Sequence, residues 1–261
     1  MKKLLSILLL IGFLFLGIKV GTRYAHWLKE SVSFRVRRVH VVGNVHISKT
    51  DILKRAHIPI SQKIWSIDLQ QAEMGILENR FVKSVQVFRS FPDAIHIEIE
   101  ERNPIALLKV HGSLYVLDQE AVLLPSASQY YDLPVVCGPV RGSLEIGCPV
   151  ESMEIQNAIH FLQFVRQDRP RLYADISEVI MEKEEGLLLY LSSVRTLVKI
   201  GRGEFEWKVR YLDAVLDELR RESFASPVKY LDLRFQGQVI VGFGARYEKM
   251  ERGNENDHCR T

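Results

Sequence analysis

An α+β fold is predicted for this chain: an N-terminal transmembrane helix, a β-α-α-β-β module, then a mixed β-rich domain with packed helices. Three observations carry that reading. From Leu4 to Ile18 every residue except Ser6 is apolar. Two short amphipathic helical patterns then lie between strand-like alternations that end near Glu101. Past Asn103-Pro104 short strand patterns recur around two longer amphipathic helices.

The chain has 261 residues, which is room for two compact modules after a targeting segment. Hydrophobic residues at 47% and charged residues at 26% place it among chains that fold. The formal charge is +3, and Lys and Arg are scattered among nearly as many acids, which argues against nucleic acid as a partner. Cys137, Cys148 and Cys259 form no C-x-x-C pair and no zinc spacing. Two readings of Cys137 and Cys148 stand, a bridge across a loop in an oxidising space or two unpaired thiols.

Lys2 and Lys3 precede the apolar run, which reads as an export signal. Extended to Val20 it spans roughly 25 Å as a helix, near the short limit for a bilayer core of about 30 Å. Lys19 can snorkel outward and lengthen the span. The competing reading is a cleaved signal peptide, yet no A-x-A-like pair follows the run and no early Cys offers a lipobox. An uncleaved anchor over 4–24, behind a cytoplasmic stub of residues 1–3, is the expectation. Arg23, Lys29, Arg35, Arg37 and Arg38 put more positive charge behind the segment than in front, which taken alone opposes export of the body. Long C-terminal domains translocate largely regardless of charge, so an exported body remains the expectation.

Val39 and Val41 alternate with charged residues, and Gly43-Asn44 then breaks this first strand. Ser48 caps a helix with Ile52, Leu53 and Ala56 on one face, ending before Pro59. A second helix begins at Asp68, with Gln71 at capping-box spacing and Leu69, Ala72, Ile76 and Leu77 along one side. Val85 and Val87, the turn Ser90-Phe91-Pro92-Asp93, and Ile95, Ile97 and Ile99 alternating with His96, Glu98 and Glu100 make a hairpin. The order is β-α-α-β-β over 34–103, a sheet with both helices on one face.

The second domain, 104–247, is expected to hold strands at Leu114–Leu117, Ala121–Leu124 and Val135–Val136, and a helix from Ser152 to Val165 that Pro170 follows. Strands at Leu187–Leu191 and Thr196–Ile200 come next. A helix from Glu204 to Arg221 buries Val209, Leu212, Val215, Leu216 and Leu219. Two final strands read as Lys229–Phe235 and Gln238–Phe243. The tail, 248–261, has almost no apolar residue and is expected to be disordered.

No residue set assembles into catalytic chemistry. Ser226-Pro-Val-Lys229 has S-x-x-K spacing, but Pro227 disrupts the turn that would present the lysine and no K-T-G follows. His96, Glu98 and Glu100 project from the polar face of a strand and lack an H-E-x-x-H partner, so a solvated face outweighs a metal site. Gly201-Arg-Gly203 lacks the third glycine of a dinucleotide loop and reads as a tight turn. No cofactor and no small-molecule substrate is implied.

Phe34-Arg-Val-Arg-Arg-Val-His-Val-Val-Gly-Asn44, Phe91-Pro-Asp93 and Ile97-Glu-Ile-Glu-Glu-Arg-Asn-Pro104 together resemble a POTRA module. With Leu117-Asp118 before Val122-Leu123, Leu133-Pro-Val-Val-Cys-Gly138, Val198-Lys-Ile-Gly-Arg202 and Tyr230-Leu-Asp-Leu-Arg-Phe235 in order, the chain from the anchor to Phe243 resembles the FtsQ/DivIB family of bacterial cell-division proteins. The resemblance implies a non-catalytic bitopic adaptor of the divisome, in the cell inner membrane as a single-pass type II protein with its body in the periplasm, concentrated at the septum. It implies an adaptor that links early and late division proteins, coiled-coil partners of the FtsB and FtsL type bound through the β domain, and a POTRA module that serves recruitment. Ala121 departs from the glycine usual in the family's D-x-x-G turn, and a differently shaped hairpin is expected there.

The final strand comes after the last helix, so it is expected at a sheet edge, where unpaired backbone groups can be completed by a partner strand. The family's partner-contacting positions correspond here to Phe235, Gly237, Gln238 and Phe243. If no bulge intervenes, Phe235, Gly237, Val239, Val241 and Phe243 share one face, which is either the interface or the core side. The alternative function, a POTRA-bearing component of outer-membrane protein assembly or secretion, calls for a C-terminal barrel of many alternating strands, and the chain stops at Thr261 without one.

Overall fold

The computed structural model describes residues 12–23, 27, 32–126, 132–140, 144–221 and 227–244. Residues 12–23 are helical with exposed side chains, and the first part of the expected anchor lies outside the described residues, as do Ser226 and the tail. Among the described residues no helix is long and apolar enough to cross a membrane. The chain divides into two compact units, Met1–Arg102 and Asn103–Thr261.

The first unit carries β1 (Arg38–Val42), α1 (Lys49–Ala56), α2 (Leu69–Leu77), β2 (Val82–Ser90) and β3 (Ala94–Glu101). Its sheet runs β1-β3-β2, with β1 parallel and β2 antiparallel to the central β3. The period of two puts Ile95, Ile97 and Ile99 of β3 under the helices, against Ile52, Ala56, Ala72 and Ile76. Both helices start as their residues dictate, Ser48 Oγ accepting the Asp51 N–H and Asp68 Oδ1 the Gln71 N–H. On the open face His96 stacks between His40 and Phe88, ring centroids 4.9 and 5.4 Å apart, so this strand face is an aromatic ladder.

Two features of the motif near Gly43 have steric and electrostatic causes. At φ 86° Gly43 passes so close to β3 that a Cβ there would lie 2.0 Å from the Ile99 carbonyl oxygen. Beside it the Glu101 carboxylate accepts the N–H groups of Val45, His46 and Ile47 at 2.8–2.9 Å and meets His46 Nδ1 at 3.2 Å. Burial opposes its ionisation, but those backbone donors outweigh burial and hold the carboxyl below its ordinary value.

The second unit holds β4 (Pro104–Val110), β5 (Ser113–Asp118), β6 (Leu123–Leu124), β7 (Val135–Cys137), α3 (Met153–Asp168), α4 (Pro170–Asp175), β8 (Ile176–Glu182), β9 (Gly186–Leu191), β10 (Thr196–Gly201), α5 (Phe205–Arg221), β11 (Val228–Asp232) and β12 (Ile240–Phe243). They form one nine-stranded sheet in the order β12-β11-β10-β9-β8-β7-β4-β5-β6. Ile155, Ile159, Phe161, Leu162 and Val165 of α3 and Val209, Leu212 and Leu216 of α5 share a core with Leu117, Val136, Val179, Leu189, Val198 and Leu231. Burying such side chains is worth about 1.5–3 kcal/mol each and fixes which side of the strands the helices cover.

Several expectations are corrected here. β4 and β8 were not anticipated: Pro104, Ile105, Ala106, Leu107 and Leu108 are buried in succession, so β4 has no alternation to read. Pro170 does not merely follow α3; it opens α4 at its first position. Ala121 adopts φ 56°, the left-handed conformation a glycine would take, so the hairpin keeps that turn with an alanine in it. Asp118 Oδ1 holds the turn by accepting the Glu120 and Val122 N–H groups, both at 2.8 Å. Cys148 is a free, exposed thiol, so the bridge between Cys137 and Cys148 is not formed.

Candidate partner-binding edge

Among the described residues β12 is the outermost strand of the large sheet, paired on one side only, antiparallel to β11. Val228 faces Phe243, Tyr230 faces Gly242, Leu231 faces Val241 and Asp232 faces Ile240, with a bulge between Val228 and Tyr230. The ring of Tyr230 lies over Gly242, where a Cβ would come within 2.2 Å of it. Tyr230 thereby covers a stretch of edge strand that has no side chain of its own. The Gly244 N–H donates to the Pro227 carbonyl at 2.9 Å and continues the pairing past Phe243.

Of the four expected contact residues only Phe243 belongs to a strand. Phe235, Gly237 and Gln238 sit in the turn between β11 and β12, where Gly237 has φ 72° and the Gln238 N–H donates to the Phe235 carbonyl at 3.2 Å. The turn takes the place of the long strand expected over Lys229–Phe235 because β11 is already tied off at its end. Leu233 is fully buried and its N–H donates to the Lys199 carbonyl at 2.8 Å, while Arg234 folds back onto Asp232.

That turn takes Phe235 and Gly237 off the single face expected for Phe235, Gly237, Val239, Val241 and Phe243. Val239 and Val241 pack against the core. Phe235 is 49% exposed, Phe243 51% and Ile240 40%. Val239 and Val241 thus lie on the core side, while Phe235 and Phe243 keep about half of their surface exposed. Two large rings and an isoleucine bracket the outer strand, which is the side-chain pattern that strand addition uses: backbone groups along the edge and anchors at its ends.

Ionic pairs tie the turn to the sheet. Arg234 bonds both Asp232 oxygens, and its Nη1 reaches Glu185 Oε2 at 2.6 Å, which Lys199 Nζ also meets at 3.2 Å. Burial raises the Asp232 carboxyl, but the bonds from the Arg234 side chain and backbone outweigh it and hold it below the ordinary value. Tyr230, Arg234 and Ile240 were missed from sequence. The Asp232-Leu-Arg234 spacing was the available signal, since residues two apart in a strand share a side.

The other sets singled out from sequence do not join this edge. Lys229 lies in β11. Gly201 and Gly203 make a tight turn at φ 74° and 57°, capped by Lys208 Nζ donating to the Arg202 carbonyl at 2.9 Å. Burial pulls the Lys208 pKa down, partly offset by Glu204.

The profile of the FtsQ-type POTRA domain matches residues 34–102, and that of the FtsQ/DivIB C-terminal related domain matches residues 103–242. The chain is 27% identical over 242 residues to the cell division protein FtsQ of Myxococcus fulvus, covering 92% of this chain and 83% of that one. It is 26% identical over 216 residues to the FtsQ of Syntrophotalea carbinolica, covering 81% and 75%, and 25% identical over 237 residues to that of a Geobacter species, covering 88% and 85%.

Proposed function

Because this chain belongs to the FtsQ/DivIB family of cell division proteins, we propose that it is a non-catalytic, bitopic adaptor whose outer strand β12 is completed by a strand of a divisome partner of FtsB or FtsL type. The observation that carries this reading is an outermost strand flanked by exposed Phe235 and Phe243 and by a turn tied down through Arg234. The partner's backbone would supply affinity along β12, and pockets for Phe235, Ile240 and Phe243 would supply register.

In the same proposal Leu4–Val20 anchors the chain in the inner membrane and holds the body in the periplasm at the septum. The apolar run behind Lys2 and Lys3 supports it. The first unit would serve recruitment. The outer-membrane assembly reading gains no support from a second unit that matches the family's own C-terminal domain.

The test is Phe243→Ala in the otherwise intact chain, with partner affinity and melting temperature measured on the same preparation. The expected result is a loss of roughly 2 kcal/mol in binding, about thirty-fold in Kd, with the melting temperature nearly unchanged. Leu231→Ala, fully buried in β11, is the contrast and should destabilise by about 2–5 kcal/mol. A destabilised Phe243→Ala protein whose folded fraction keeps full affinity removes Phe243 from the site.

A further inference from the structure

Phe34, Trp65 and Phe91 come from three separate segments of the first unit and meet in one aromatic cluster. Their ring centroids are 4.7 Å apart for Trp65 and Phe91, 6.0 Å for Phe34 and Trp65, and 6.5 Å for Phe34 and Phe91. Trp65 remains 45% exposed and Phe91 53%, so the cluster faces water although it is built of the largest side chains available.

Its mounting is rigid. Arg89 donates to the Ile64 and Ile67 carbonyls at 2.8 and 2.7 Å, pinning the short helical turn Ile64–Ser66 that presents Trp65. Val36 exchanges backbone bonds with Ser61 and Gln62 at 2.8 and 2.9 Å, and the Arg37 N–H donates to the Asp93 carbonyl at 2.8 Å, so all three segments are tied together. Positive charge accompanies the rings at Arg35 and exposed Arg37, next to Phe34 in the chain, while Arg38 is taken up by Asp93 at 2.6 Å.

Exposed Trp and Phe rings held at fixed height and accompanied by guanidinium groups match the headgroup region of a bilayer, where amphipathic rings settle and arginine meets lipid phosphate. Phe34 follows Val20 by 14 residues (34 − 20), a tether of at most about 50 Å. We infer that the Phe34–Trp65–Phe91 face of the first unit docks on the anionic surface of the membrane. The inference rests on the proposal that Leu4–Val20 is an anchor, because the tether sets which surface the face meets.

The test uses the full chain with Trp27→Phe and Trp207→Phe, so that Trp65 alone fluoresces, reconstituted in nanodiscs of brominated phosphatidylcholine with or without phosphatidylglycerol. Co-elution with the disc through a high-salt wash reports the anchor, and quenching of Trp65 reports docking. Quenching should appear with the anionic lipid, fall as salt rises, and drop with Arg37→Gln as the docked-to-free ratio declines about five-fold. Phe91→Ala, which changes no charge, should also reduce it while the melting temperature holds. Retained protein with unquenched Trp65 overturns docking and leaves the anchor standing. Protein lost in the wash overturns the anchor, and unquenched Trp65 before the wash then overturns docking as well.

Discussion

The Arg234 guanidinium grips the Asp232 carboxylate with two nitrogens, Nη2 2.6 Å from Oδ2 and Nε 2.9 Å from Oδ1, while its own backbone N–H donates to Oδ1 at 3.0 Å. Two residues apart, this pair turns the chain out of β11 and sets the angle at which Phe235 leaves the sheet. The Asp232 side chain is only 6% exposed, so it depends on that cation for its charge.

Arg234→Gln should therefore cost about 1–3 kcal/mol of stability at neutral pH and weaken partner binding without touching either phenylalanine. The carboxyl of Asp232, folded-state pKa below its ordinary 3.8, contributes stability above that value that is lost as pH falls through the folded pKa. Without Arg234 burial acts unopposed by this cation, the folded pKa rises, and acid unfolding should begin at higher pH. An unchanged acid limb in a denaturant titration series would show that the pair does not hold the turn.

Glu101 is the corresponding test in the first unit. Its folded pKa lies below 4.5, so its contribution is present above the ordinary carboxylate range and disappears as pH falls through the lowered value. Glu101→Gln keeps the shape but loses the charge that three backbone N–H groups address. The unit should lose about 1–3 kcal/mol near neutrality, and the difference from the parent should shrink in acid. A constant difference at all pH values would assign the effect to packing instead.

Gly43→Ala pushes a methyl into the Ile99 carbonyl of the central strand and demands a left-handed alanine as well. Backbone cannot yield as a flexible side chain can, so a loss greater than about 2 kcal/mol is expected, confined to residues 34–102. Calorimetry should show one lowered transition and one unchanged, the result expected if Phe34–Asn103 folds on its own. Equal loss in both transitions would mean that the two units unfold as one.

Much of this fold was legible because local chemistry and tertiary packing ask for the same residues. Ser48, Asp68 and Ser152 cap helices where their side chains reach the next turn, and the Ile95, Ile97, Ile99 alternation names its own buried face. β4 escaped notice because a strand buried on both sides loses the alternation that identifies strands, and β8 because its buried residues, Ile176, Val179 and Ile180, do not keep period two. The candidate edge was legible in part: that β12 comes last suggested an edge, but its length and the turn at Gly237 did not follow from period two.

By itself, then, the sequence determined the order and type of the elements of the first unit, the helix starts at Ser48, Asp68 and Ser152, the turn at Gly43 and the family resemblance. These depend on residues within a few positions of one another, or on motifs in fixed order. Only the tertiary structure decided that Val239 and Val241 face the core while Phe235 and Phe243 stay exposed, that Ala121 accepts a left-handed backbone, and that Cys148 keeps a free thiol. The edge residues depend on the pairing with β11 and on Glu185, 49 positions from Arg234, whereas Ala121 is held locally by Asp118. Period and propensity describe a strand's two faces, but which face is covered depends on what the rest of the chain brings against it.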